Sequence, residues 1–123
     1  MKIDNNSEKP IFIQFAEVIE DSILKGIYEE ETQIPSTTEV AVLLKINPAT
    51  ANKGVRTLVE EGIVYKRRGI GMFVAQGARD KIRAKRKREF VDKYVKNMIE
   101  EAKKLDISSS EIIKMIEKEK DYD

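Results

Sequence analysis

The sequence contains neither cysteine nor histidine, and no apolar run in it is long enough to cross a membrane. Without cysteine there is no disulfide and no thiolate metal site, so a reducing cytoplasm is the expected compartment. Without histidine the chain lacks the commonest general base and the commonest metal ligand, which weighs against an enzyme. The Asp and Glu residues are scattered and form no convincing pair, and neither a phosphate-cradling loop nor a nucleophile motif is present. The opening Met1-Lys2-Ile3-Asp4-Asn5 has no signal-peptide stretch. No enzyme activity, metal, cofactor or membrane partner is expected.

What remains is a charged chain of 123 residues, 41% hydrophobic, enough for one domain or a small domain with an appendage. Its net charge of +1 conceals strong segregation. Residues 1–46 hold 4 basic and 9 acidic side chains, residues 47–77 hold 5 and 2, residues 78–104 hold 11 and 5, and residues 105–123 hold 3 and 6. A basic middle between acidic ends suggests a polyanionic partner, against the simpler reading of a solvated basic helix.

Residues 1–10 are polar and read as an extended arm. Ile11, Phe15, Val18, Ile19 and Ile23 then recur at helical spacing, with Ile27 continuing the stripe, to a stop near Lys25 or Gly26. Ser36 and Glu39 form a capping box for a short second helix that carries Val40, Ala41, Leu43 and Leu44. Asn47-Pro48 is a helix opening, with asparagine as N-cap and proline at the first helical position. In that third helix Ala51, Val55, Leu58 and Val59 share one face, and Ala49, Asn52, Lys53, Arg56 and Glu60 the other. Gly62 ends it, and 63–67 and 72–75 read as strands around a turn at Arg68-Gly69-Ile70-Gly71. Two capped helices, a glycine stop and a basic hairpin are the layout of a winged helix-turn-helix. The expected fold is mainly α with a small β-hairpin: an arm (1–10), a winged helix-turn-helix (11–76) and a two-helix dimerisation tail (77–123). In the tail, Phe90, Val91, Tyr94, Val95, Met98, Ile99, Ala102 and Leu105 make an apolar stripe, and a second capping box, Ser108 with Glu111, opens a helix bearing Ile112, Ile113, Met115 and Ile116. The end, 118–123, is expected to fray.

These motifs, in this order, resemble the GntR family of bacterial transcription regulators and its short YtrA-like subfamily. The resemblance rests on Ile34-Pro35-Ser36-Thr37-Thr38-Glu39-Val40-Ala41, Asn47-Pro48-Ala49-Thr50, Glu61-Gly62 and Gly69-Ile70-Gly71-Met72-Phe73-Val74, and covers about residues 10–75 by motif. It implies a winged helix followed by two helices that pair subunits, in a dimeric, sequence-specific DNA-binding regulator, usually a repressor. Thr38, Pro48 and Asn52 stand where family members frequently carry arginine, so the base-reading set is less basic here.

On this reading the recognition helix, 47–61, presents its N-terminus to DNA, where free N–H groups and the dipole favour a phosphate. Asn47 and Thr50 add contacts at that end, although Asn47 is equally well explained as a cap. Asn52 can pair with an adenine edge, Lys53 can reach guanine or a phosphate, and Ala49 can meet a thymine methyl. Arg56 is suited to the backbone. One bidentate pair discriminates by about 1–3 kcal/mol, too little for operator choice alone. Ser36 is mainly a cap and Thr38 a candidate phosphate contact. The wing Lys66, Arg67, Arg68 and Gly69 suits a minor groove or flanking phosphates. The basic run Arg79, Lys81, Arg83, Lys85, Arg86, Lys87 and Arg88 either extends that footprint or solvates the outer face.

Pairing is expected through Phe90, Tyr94, Met98, Ile99, Ile112, Ile113 and Ile116, which makes the operator an inverted repeat. Fewer than fifty residues follow the wing, too few for an enclosed ligand cavity with its own core. A small hydrophobic effector between subunits near Tyr94 or Met98 is compatible with the residues but not indicated by them. The alternative is a winged-helix protein-interaction module without specific DNA binding.

Overall fold

Most elements begin or end at a local feature of the chain. The structure, a computed structural model, describes residues 2–119. Helix α1 (Ile11–Leu24) starts directly behind Pro10, and its stripe buries Phe15, Ile19 and Ile23. Helix α2 (Thr37–Leu44) opens on the expected capping box: the Glu39 N–H donates to Ser36 Oγ at 3.1 Å, and the Ser36 N–H donates to Glu39 Oε1 at 3.2 Å. It stops at Lys45, whose backbone is left-handed (φ 56°). Helix α3 (Pro48–Glu60) follows after the Asn47 cap, whose Oδ1 accepts the Ala49 N–H at 2.8 Å.

Strands β2 (Val64–Arg67) and β3 (Gly71–Val74) form the hairpin, and a two-residue strand β1 (Gln33–Ile34) pairs with the far edge of β3. The expected hairpin is thus two thirds of a three-stranded antiparallel sheet, ordered β1-β3-β2. Helix α4 (Ala78–Phe90) leads into a π-helical stretch (Val91–Val95) and helix α5 (Lys96–Lys104), and helix α6 (Ser109–Lys118) follows.

The chain divides into two units at Ala84 and Lys85. In the first, α1, α3 and the sheet enclose Phe15, Ile19, Val55, Leu58, Val64 and Val74. The opening turns of α4 belong to this core, because Ala78 and Ile82 are fully buried within it. Burying one such isoleucine contributes about 1.5–3 kcal/mol. Gly54 sets how closely α1 and α3 approach: a Cβ there would lie 2.6 Å from the Phe12 carbonyl oxygen and 2.9 Å from Phe15 Cδ1.

In the second unit α5 turns into α6 through Asp106 (φ 55°), and Ser108 with Glu111 forms the second capping box. Ala102 is buried and Ile107 and Ile112 are half-buried, whereas most of the apolar stripe is exposed. Of the end expected to fray, residues 120–123 lie outside the described residues.

Three apolar residues depart from the expected pattern. Ile27 lies beyond the end of α1 and is exposed. On α2, Val40, Ala41 and Leu44 face the core, so Leu43, about 200° round the helix from Ala41, points to solvent. Val59, expected beside Leu58 on the core face, is 39% exposed. It stands seven residues after Asn52, two turns along the same side, and therefore joins the polar face.

Candidate nucleic-acid interface

The two faces of α3 are cleanly separated. Ala51, Val55 and Leu58 are fully buried, and Ala49, Asn52, Lys53 and Arg56 are exposed on the other side. Thr50 is half-buried at the helix start. Asn47 is exposed; its side-chain oxygen is committed to the cap, which leaves its amide group to face outward as a donor. Ser36, the cap of α2, and Thr38 in its first turn are both exposed.

Lys53 is less free than a solvated lysine. Its Nζ lies 4.2 Å from the centre of the Phe12 ring on α1. Such a cation–π contact at an exposed site contributes about 0.5–1 kcal/mol, a cost that DNA would have to offset if it drew the amine away.

The wing does not act as one cluster of three cations. Strand side chains alternate, so Lys66 follows Val64 toward the body and Arg67 follows Tyr65 to the opposite face. Lys66 shares a groove with Asn52, Arg56 and Val59, joining wing and recognition helix in one surface. The Arg67 guanidinium instead sits 4.8 Å from the Phe73 ring and 5.9 Å from that of Tyr65. The two rings stack at 5.6 Å, and the Tyr65 hydroxyl donates to Glu31 at 3.2 Å. Arg68 and Gly69 form the exposed tip. Gly69 has φ 76° with open space around it, so the turn itself requires glycine. Gln33 braces this turn by donating to the Ile70 carbonyl at 3.0 Å.

The start of α4 is anchored by its own charges. The Glu30 carboxylate accepts the Gly77 N–H at 2.9 Å and the Arg79 N–H at 3.1 Å, and those bonds, Gly77's first, hold its pKa below the ordinary glutamate value. Arg79 donates to the Leu24 carbonyl at 2.8 Å and Lys81 to that of Gly62 at 3.3 Å, while Arg83 pairs with Asp80 at 3.6 Å. Part of the basic run therefore fastens α4 within its unit.

The sequence pattern of "Bacterial regulatory proteins, gntR family" matches residues 14–74. YhcF of Bacillus subtilis, an uncharacterised HTH-type transcriptional regulator, is 32% identical over 112 residues, 89% of either chain. The chain belongs to the GntR family. The transcriptional repressor YtrA of the same organism is 33% identical over 79 residues, 64% of this chain and 61% of that protein, so the match spans less than two thirds of YtrA. It spans only 30% of the B. subtilis regulator YurK. Among solved structures, a GntR-family protein from Bacteroides thetaiotaomicron superposes with a TM-score of 0.76 at 40% identity, over 86% of this chain and 92% of that one. AraR(DBD), crystallised in complex with operator ORX1, superposes at 0.55 with 28% identity, over 61% of this chain and 93% of that one. These relatives are transcription regulators rather than enzymes, and the winged-helix reading of the fold holds. No helix among the described residues is long and apolar enough to cross a membrane.

Phe12 and the Tyr65–Phe73 pair were not visible as parts of this GntR surface from the residue pattern. Each acts through a contact that only the folded chain brings about.

Proposed function

We propose that this GntR-family protein is a cytoplasmic, homodimeric repressor that binds an inverted-repeat operator. The recognition helix 47–61 lies in the major groove and the wing 66–71 on the flanking backbone. The observation that carries this is the division of α3: its apolar face is sealed in the core, and Asn52, Lys53 and Arg56 face outward beside Lys66. Asn52 reads a base edge, Lys53 a guanine or a phosphate, and Ala49 a thymine methyl. Arg56, Lys66, Arg68, Thr38 and the amide of Asn47 fix position on the backbone, with Arg67 and Gly69 shaping the wing and Ser36 capping α2.

Pairing involves Phe90, Tyr94, Met98, Ile99, Ile113 and Ile116, all 40–57% exposed, and half-buried Ile112. An exposed apolar surface of this kind favours a partner, and a second copy supplies two-fold symmetry for two half-sites. A groove of about 480 Å³ lined by Phe90, Tyr94, Met98 and Ile116 lies on this surface.

The test is fluorescence anisotropy with DNA from upstream of the protein's own gene, titrated at several salt concentrations. Binding should weaken steeply with salt as counterions are released. Asn52→Ala should change sequence preference, and the pair Arg67→Ala with Arg68→Ala should weaken binding to every sequence. Wild-type affinity in both variants would remove α3 and the wing from the interface.

A further inference from the structure

A second groove of the winged unit lies away from the one between α3 and the wing. It has a volume of about 520 Å³ and lies at the start of the recognition helix, between the N-terminal arm and the α2–α3 turn. Its rim carries Lys2 and Asn5 from the arm, Lys45 from the end of α2, and Asn47 and Thr50 from the start of α3.

The arm is held there by one buried side chain. Gln14 on α1 is 8% exposed. Its Oε1 accepts the Asp4 N–H at 2.7 Å, and its Nε2 donates to the carbonyls of Asp4 at 3.0 Å and Lys9 at 2.9 Å. Both ends of residues 4–9 are therefore clasped to the same amide. Lys9 is occupied by Glu17 at 2.9 Å, and Asp4 Oδ1 accepts the Asn6 N–H, also at 2.9 Å. Lys2 and Lys45, both exposed, have no ion-pair partner among the described residues.

We propose that the arm is a third DNA-contacting element, in which Lys2 and Asn5, with Lys45 opposite, grip the sugar-phosphate backbone where it passes the start of the recognition helix. This rests on the reading of α3 as the major-groove helix. Two separated cations flank a groove whose inner end is the N-terminus of a 13-residue helix, where the dipole also favours an anion. Asn5 and the free amide of Asn47 add neutral donors. Contacts of this kind carry no base information, so the arm raises affinity and fixes register without selecting sequence. Gln14 is the positioning residue: by holding the arm in place before binding, it removes part of the ordering cost.

The test uses the full chain and anisotropy with a duplex that the wild type retains and a scrambled duplex of equal length. Lys2→Ala combined with Lys45→Ala should weaken binding to both duplexes by a similar factor. The slope of log affinity against log salt should become shallower by about two, one unit for each lost phosphate contact. Gln14→Leu, checked for an unchanged circular dichroism spectrum, should reproduce the Lys2 part of that loss, and adding Lys2→Ala to it should change little further. The double lysine variant needs no such check, because both residues are exposed. Unchanged affinity and slope in that variant, while Arg68→Ala still weakens binding, would overturn the role of the arm and leave the role of α3 standing. A wild type that retains no duplex at any salt concentration would overturn both.

Discussion

The winged unit and the tail treat their apolar residues in opposite ways. Up to Ala84 most large apolar side chains of α1, α3 and the sheet are buried or half-buried, Ile13 and Val59 excepted, and even the charged helix α4 contributes Ala78 and Ile82 to the same core. From Lys85 onward only Ala102 is buried among the described residues, while Phe90, Tyr94, Met98 and Ile116 are 40–57% exposed. The difference teaches which part is complete by itself. The closed core leaves the first unit free to turn a polar face to DNA, and under the proposed function the exposed stripe of the second is where a partner copy packs.

The most damaging substitution should fall in the completed core. Gly54→Ala puts a methyl group against the Phe12 carbonyl and the Phe15 ring, so α1 and α3 must separate. Overpacking of this kind costs about 1–3 kcal/mol. For a unit of this size, each kcal/mol lowers the melting temperature by about 4–8 °C. Calorimetry that finds no change would mean that the two helices have slack between them.

In the tail the largest effect should be on assembly rather than folding. Met98→Glu places a charge on the exposed stripe, and sedimentation should show the mass of the dimer replaced by that of the monomer. Operator affinity should fall with it, because one half-site is then bound at a time. A variant that remains dimeric would move the pairing surface elsewhere.

A smaller contrast separates the two faces of the wing. Lys66 faces the recognition helix and Arg67 lies on the Phe73 ring, so Lys66→Ala should weaken DNA binding more than Arg67→Ala. Equal losses in anisotropy would show that Arg67 leaves its ring to reach DNA.

The smallest expected effect concerns Glu30. Its pKa is held below the ordinary value by the N–H groups of Gly77 and Arg79. For a carboxylate lowered in this way, the stabilisation is present above the ordinary glutamate range and lost as pH falls through the lowered value. Glu30→Gln should therefore melt slightly below wild type at neutral pH, and the gap should close in acid. A gap independent of pH would show that the charge is not what fastens α4.

Much of this was legible in the residues because the signals are local. The Ser36–Glu39 box, the Asn47-Pro48 opening and the Gly69 turn act over a few positions, and each appears where its chemistry requires. What escaped depends on long-range geometry. Strand β1 has two residues, too few to show a period, and exists only through its pairing with Phe73 and Met72. Ala78 and Ile82 sit in a charged run and look solvated until the core is seen to close over them. Gly54 resembles a weak point in a helix, but it is a packing requirement across to α1. Gln14 and the alternation of Lys66 and Arg67 carry meaning only once the arm and the sheet are in place. The π-helical stretch at Val91–Val95 shifts the phase of a stripe that a single helical period described as continuous.

The most direct measurement is selection of bound sequences from random DNA with the wild type and with Asn52→Ala. If α3 reads the major groove from its exposed face, the wild type should enrich two inverted half-sites, and Asn52→Ala should lose preference at matching positions in each while the spacing stays fixed. An identical enriched sequence from both proteins, or no enrichment by the wild type, would contradict it.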